Sequence, residues 1–318
     1  MNCSKTKILV TGGAGFIGSY LVPRLLAKGF SVAVLDNLYS GKLENLNGSC
    51  NDSHFKFVNA DIRDTTALAD AMRGVDAVVH LAALIDVAAS VIDPAVTHEV
   101  NVTGTLNLLQ AAKRSKVKRF VFASSTAVYG DVRNLPVREN VTLQPISPYA
   151  ASKAAAEAYC AAFAGCYGLD VVALRFFNVY GLGNENNPYS GVITKFLRKV
   201  LNGEALVVNG DGEQTRDFIH VGDVAAAIIC ALEKEGVSGG SFNVCTGVAT
   251  SINQLVAALQ SVTGKEVPVT YGPARQGDIR NSYGCPEKSA EKLGFKSSVN
   301  LEQGLKIMYN SFTNKNRP

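Results

Sequence analysis

The sequence predicts an α/β protein: a doubly wound parallel sheet joined to a smaller C-terminal α/β lobe. Three observations carry that expectation. Short Val/Ile/Phe-rich runs alternate with helix-like segments through the first half of the chain. Those runs lack polar alternation, as strands buried on both faces do. A loop with glycines at a spacing of three joins the first strand to the first helix.

Taken in order, KILVTG reads as a strand and Gly18 to Lys28 as a helix. SVAVLD and FKFVNAD follow as strands, then a helix near 65–73, then the strand DAVVHLA. A helix near 94–114 leads into the strand RFVFASS, a helix over 147–166 and the strand DVVALRFFN. After about residue 180 the texture changes, through the polar connection GLGNENNPYSG, to shorter helices and strands. We expect a nucleotide-binding domain over 1–176 and a lobe over 177–318. Segments near 217–247 should pack back on the first domain, because HVGDVAAAIICALEK keeps an apolar face.

Composition narrows the classes of function. The 318 residues are 47% hydrophobic and 18% charged with a net charge of +4, an ordinary folded chain with no demand for a polyanionic partner. The basic group KRSKVKR (113–119) reads as the solvated end of a helix rather than a nucleic-acid patch. Seven cysteines form no CxxC pair and have no histidine at ligand spacing, so no metal site is expected. No apolar run reaches the roughly 20 residues of a membrane helix. These features suggest a cytoplasmic protein.

VTGGAGFIGS places Gly12, Gly15 and Gly18 between strand and helix, with Phe16 and Ile17 at the helix start. Such glycines permit a tight turn and close backbone approach to a pyrophosphate, which the helix N-terminus then faces. Alone they are as often a simple turn. Asp36 ends the second strand, where a carboxylate accepts hydrogen bonds from an adenosine ribose and repels a 2′-phosphate. That favours NAD over NADP. Asn37, Ser40 and Gly41 follow it in DNLYSGK. Asp61 and Ile62 close the third strand, and Leu81, Ala82 and Ala83 give small or apolar groups after the fourth. Together they outline a dinucleotide groove in a Rossmann-like domain.

In SPYAASK, Ser147 and Pro148 are a good helix start, and Tyr149 and Lys153 stand one turn apart. That spacing is common on helices; beside a dinucleotide groove it suits a proton shuttle, since a neighbouring cation favours phenolate. Ser124, Ser125 and Thr126, in FASSTAVYG, arrive at the same sheet edge.

The glycine loop, Asp36, NVTGT, SSTAVYG, SPYAASK, LRFFNVYG and GDGEQTRDFIHVGDVA occur in order from about residue 7 to about 290. This set resembles the extended short-chain dehydrogenase/reductase superfamily, specifically nucleotide-sugar 4-epimerases of the UDP-galactose type. The resemblance implies an NAD enzyme that epimerises a UDP-hexose at C4 through a transient 4-keto sugar. It implies Tyr149 as base, Lys153 as the residue lowering its pKa, and Ser125 as the partner hydroxyl, with Thr126 the alternative. Asn101, Ser124 and Phe176 fall at cofactor positions, and Val87, Asn178, Val192, Asn209 and Arg216 at substrate positions. Arg275 and Asp278 match phosphate and ribose contacts. Ser282 stands where the family limits room for a 2′-substituent, so a small residue there suggests that N-acetylated sugars fit. The family also implies a homodimer, formed here by helices near 98–114 and 147–166.

Related chemistries stay open on the sequence alone. Nucleotide-sugar dehydratases carry Asp-Glu where Thr126 and Ala127 stand, and UDP-glucuronate decarboxylases a glutamate at Ala127, which weakens both readings. Also open are a uronate epimerase, a net dehydrogenase and a non-catalytic NAD-binding regulator.

Overall fold

A computed structural model describes residues 6–183, 191–274 and 279–315. The large sheet begins with β1 (Lys7–Thr11), β2 (Ser31–Asp36), β3 (Phe55–Asn59), β4 (Ala77–His80), β5 (Arg119–Ser125) and β6 (Asp170–Phe176). The lobe region carries β7 (Asn178–Tyr180), β8 (Leu206–Asn209), β9 (Thr215–Arg216), β10 (Phe218–His220), β11 (Gly240–Val244), β12 (Thr250–Ser251), β13 (Val269–Gly272) and β14 (Asn281–Ser282). The helices are α1 (Phe16–Ala27), α2 (Thr65–Ala71), α3 (Val87–Ile92), α4 (Pro94–His98), α5 (Gly104–Arg114) and α6 (Pro148–Tyr167). The remaining four are α7 (Val192–Leu201), α8 (Val221–Glu233), α9 (Ile252–Thr263) and α10 (Leu301–Lys315).

Seven parallel strands run in the order β11, β6, β5, β4, β1, β2, β3. Strand order reverses between β1 and β4, so a crevice opens outside their carboxyl ends, where Thr11 pairs with His80. Successive residues point to opposite faces. Ile8 and Val10 therefore join Leu21, Leu25, Val224 and Ile228 of α1 and α8, while Leu9 joins Leu108 of α5 and Phe163 of α6. Both faces are covered, which explains the unbroken apolar strands. β11 is an edge strand of this sheet and α8 packs on α1, although both follow the start of the lobe in sequence.

One expected element differs. The segment 94–114 is not a continuous α-helix but α4, a π-helical turn over Glu99–Thr103, and α5. Asn101 lies in that turn, whose wider backbone spacing turns the side chain inward. The basic end of α5, Lys113 and Arg114, stands in the last turn, where cations suit the exposed carbonyls.

The lobe has its own core, formed by Leu197, Leu255, Leu259, Leu305 and Met308 from α7, α9 and α10. Its strands are short pieces: β13 with β8, β10 with β7, and β12, β9 and β14 together. The buried carboxylate of Asp217, between β9 and β10, accepts from Thr246 N at 2.8 Å, Gly247 N at 2.9 Å and Gly284 N at 3.3 Å. It thereby gathers three lobe segments at the edge of the large sheet.

Candidate active site

The groove starts at the β1–α1 turn. Gly12 has φ +69°, and a side chain there would begin 2.6 Å from Ala82 N. A Cβ on Gly18 would run into the backbone of Gly13, so α1 can lie this close only with glycine at that position. Gly15 caps α1 with no side-chain hydrogen bond, and the first turn holds no acid. The helix thus presents backbone donors and a positive dipole end to the groove, a site that suits a diphosphate.

Asp36 is buried at the end of β2, accepting from Ala14 N at 3.0 Å and Leu38 N at 2.8 Å. Burial pushes its pKa up while those bonds oppose the rise. Each oxygen keeps a free lone pair, enough for two ribose hydroxyls. Asn37 donates to Asp61 at 2.9 Å, and Arg63 grips the same carboxylate at 2.9 and 2.8 Å, holding its pKa down to about 2. Around these groups lies a cavity of about 260 Å³. Phe16, Ile17, Ser40, Gly41, Ile62, Leu81, Ala82 and Ala83 are among its lining residues. The glycine cradle, the capless helix and the carboxylate fit an NAD.

Beneath the groove His80 bridges Thr11 Oγ1 at 2.7 Å and Thr105 Oγ1 at 2.9 Å. Its complete burial lowers its pKa to about 3, so the ring is neutral and serves as a crosslink between β1, β4 and α5.

The candidate shuttle residues gather at the carboxyl end of β5. Ser147 caps α6 by accepting from Ala150 N at 3.2 Å, and Pro148 takes the first helical position. The N–H of Tyr149 donates to Ser90 Oγ at 3.1 Å, so α3 fixes where α6 begins. Ser125, at the end of β5, accepts from Ala127 N at 3.2 Å and stands near enough to Tyr149 to favour its phenolate. Burial raises the phenol's pKa and Ser125 pulls it back. Lys153 Nζ donates to Ala123 O at 2.9 Å, and burial lowers its pKa to about 8. A buried phenol and ammonium thus stand with a half-buried hydroxyl, chemistry that fits proton transfer to or from an alcohol.

Three expected cofactor residues have side chains engaged within the protein. Asn101 spends both amide donors, on Leu84 O and Ser152 Oγ, each at 2.9 Å, and accepts from Leu84 N at 2.8 Å. It holds the loop after β4 against α6 and has no donor left for a ligand. Ser124 donates its hydroxyl to Glu157 at 2.7 Å, on the helix side of the sheet. Phe176 is buried in the core beside α8, because alternation along β6 directs it inward. Thr126 heads the short 3-10 turn after Ser125.

Among the substrate candidates, Asn178 and Val192 line a second cavity of about 140 Å³. Phe16 lines both cavities, so they adjoin. Arg216 in β9 lies opposite Ser282 of β14 and Thr250 of β12, and its NH1 donates to Thr215 O at 2.8 Å. Asn209 ends β8, with its carbonyl taken by Gln214 at 2.8 Å. Val87 is half exposed at the start of α3, one turn before Ser90. Arg275 and Asp278 lie outside the described residues.

Sequence reasoning missed Ser90, Arg63, Asp217 and Glu157. Only Asp217 and Glu157 left a signal, as acids inside otherwise apolar segments, a placement that demands buried partners.

The model of the NAD dependent epimerase/dehydratase family matches residues 8–245. The chain belongs to that family. It is 40% identical to the UDP-glucose 4-epimerase of Mycolicibacterium smegmatis over 98% of this chain and 100% of the relative. The structure of UDP-glucose 4-epimerase with UDP-glucose from Thermotoga maritima matches at 39% identity and TM-score 0.92, covering 98% of this epimerase-family chain and 99% of that one. UDP-N-acetylglucosamine 4-epimerase from Methanobrevibacter ruminantium, in complex with UDP-N-acetylmuramic acid, matches at 40% identity and TM-score 0.92, with coverage of 98% and 99%. Among the described residues of this family member, no cluster of three His, Cys, Asp or Glu could hold a metal, and no helix is long and apolar enough to cross a membrane.

Proposed function

We propose that this protein is an NAD-dependent 4-epimerase of a UDP-hexose. The observation that carries the reading is the Ser125–Tyr149–Lys153 set at the β5–α6 edge, with Thr126 and Ala127 where an elimination would need a further acid and base. NAD supplies reversible two-electron oxidation at the sugar C4 when held by Gly12, Gly15, Asp36 and the cavity walls. Every other task falls to side chains of this chain.

Tyr149 takes the proton of the 4-hydroxyl and later returns it. Burial opposes phenolate and Ser125 works against that rise, while a cation one turn away on α6, Lys153, also favours the charged form. Lys153 has three N–H donors and gives one to Ala123, leaving two for the ribose and the phenolate side. Ser125 shares the 4-hydroxyl with Tyr149 and keeps it in line for transfer.

Asn178, Arg216, Arg275 and Asp278 hold the UDP part, while Val87, Thr126, Val192, Asn209 and Ser282 border the sugar. Firm nucleotide contacts with few charges near the hexose let the ketone turn over between its two faces. The small Ser282 opposite Arg216, and the likeness to the UDP-N-acetylglucosamine epimerase, support acceptance of N-acetylated hexoses. Residues 1–176 serve the cofactor and 177–318 mainly the substrate. The exposed Tyr159 and Tyr167 on α6 support a homodimer through that helix, which light scattering would read. Six described free thiols support a reducing, cytoplasmic setting.

The test is incubation of the purified protein, without added NAD, with UDP-glucose and separately with UDP-N-acetylglucosamine. A C4 epimer with no build-up of NADH absorbance is the expected result. Steady NADH release, or a dehydrated or decarboxylated product, overturns the assignment.

A further inference from the structure

Behind the catalytic edge lies a buried polar cluster that the mechanism does not use. Glu157 on α6 is 6% exposed. Its carboxylate accepts from Ser124 Oγ at 2.7 Å, Ser241 Oγ at 2.8 Å and Arg175 Nε at 3.0 Å, and pairs with the second guanidinium arm of Arg175. Arg175, in β6, reaches on to the Tyr129 hydroxyl at 2.9 Å, which donates to Asn243 at 2.6 Å. Five elements therefore converge on one buried ion pair: β5, the turn after it, α6, β6 and β11.

The pattern of contacts between β5 and α6 is specific. Tyr149, Lys153 and Glu157 are spaced by four, so they form one stripe on the inner side of the helix. Each faces one of three consecutive residues of β5: Tyr149 stands near Ser125, Lys153 bonds the carbonyl of Ala123, and Glu157 bonds Ser124 between them. The first two contacts belong to groups that must rearrange around substrate and cofactor. The third is a buried bond backed by Arg175.

We propose that Glu157 is a positioning residue for epimerisation: through Ser124 it pins the end of β5 to α6 and so sets Ser125 against Tyr149. The inference rests on the epimerase reading of the site. Burial opposes the carboxylate, but the bond and charge of Arg175, with the two serine hydroxyls, hold its pKa below the ordinary value, so the tether stays ionised at neutral pH. A buried ion pair contributes little net stability relative to an apolar pair but fixes geometry. Catalytic geometry is sensitive to such tethers, because a misplacement of about 1 Å can cost as much as about 100-fold in rate.

Ser124 and Ser241 allow a matched test, since each gives one hydroxyl to the same carboxylate and only Ser124 adjoins Ser125. In the full-length, NAD-loaded protein, Ser124→Ala should lower kcat about tenfold with KM for the UDP-sugar nearly unchanged. It should also move the acid limb of the kcat profile to higher pH, because Tyr149 loses part of the Ser125 interaction that favours phenolate. Ser124→Thr should restore the rate. Ser241→Ala should keep kcat within about twofold of wild type, since the β11 edge carries no reacting group. Equal losses in the two alanine variants, or a wild-type rate and pH profile in Ser124→Ala, overturn the inference while leaving the epimerase reading intact. Wild-type protein that forms no C4 epimer overturns both. Should Ser124→Ala fail to fold, Glu157→Gln decides: a drop in kcat with NAD still bound supports the tether, and an unchanged kcat removes it.

Discussion

The two halves of this site are built by different means. The cofactor groove is made by backbone and by strand ends of one continuous parallel sheet: Gly12 against Ala82, the open start of α1, and Asp36 closing β2. The proposed substrate side is made by side chains on strands of two to four residues, gathered in part by the buried carboxylate of Asp217. A groove set by a sheet tolerates little change anywhere along it. A lobe gathered by side chains can alter its ligand through one residue. The same scaffold can then keep its redox cofactor while its substrate changes.

Substitutions should separate the halves, and the largest effect belongs to the residue standing between them. Tyr149→Phe removes the proton shuttle and should cost about 10²–10⁴ in kcat. NAD released on denaturation should remain stoichiometric; loss of NAD as well would erase the distinction between chemistry and groove. Gly12→Ala puts a Cβ against Ala82 from a left-handed backbone and should weaken NAD retention, so activity should fall and recover with added NAD, without a change in UDP-sugar binding by calorimetry.

On the substrate side, Asp217→Asn leaves the amides of Thr246, Gly247 and Gly284 short of an acceptor. An unsatisfied buried donor costs about 1–3 kcal/mol, so the midpoint in urea should fall and KM for the UDP-sugar should rise, with the NAD content intact. Ser282→Tyr should sharpen the comparison further. It should reduce kcat/KM for UDP-N-acetylglucosamine by about tenfold or more relative to UDP-glucose, read from competing turnover.

The smallest effect is on stability and belongs to the groove. The folded state keeps His80 neutral down to about pH 3, whereas the ordinary value is 6.5. The unfolded chain therefore binds a proton first as pH falls. Stability is whole above pH 6.5 and declines between 6.5 and about 3, by at most about 1.4 kcal/mol per pH unit from this group. Urea titrations at about pH 7.5 and 5.5 should show the slope, and His80→Gln should flatten it.

Much of the site was legible because its signals are local. Glycine spacing, an acid at a strand end, and a phenol one turn from an ammonium each depend on a few neighbouring residues and on helix or strand periodicity. Asn101, Ser124 and Phe176 were read as cofactor neighbours by their place in motifs, yet a π turn, a buried glutamate and strand alternation direct their side chains elsewhere. Ser90 carries no motif, and its part in placing α6 depends on a contact across 59 positions of chain.

From residue order alone follow the parallel sheet, the NAD groove, the Ser125–Tyr149–Lys153 set and the family, since periodicity and short-range spacing carry each of them. Folding had to decide which polar atoms are already spent. It closed Asn101 on Leu84, Ser124 on Glu157 and Asp217 on three distant amides. The reason is physical: a buried donor or acceptor must find a partner, and which partner lies within 3 Å is settled by packing between elements far apart in sequence.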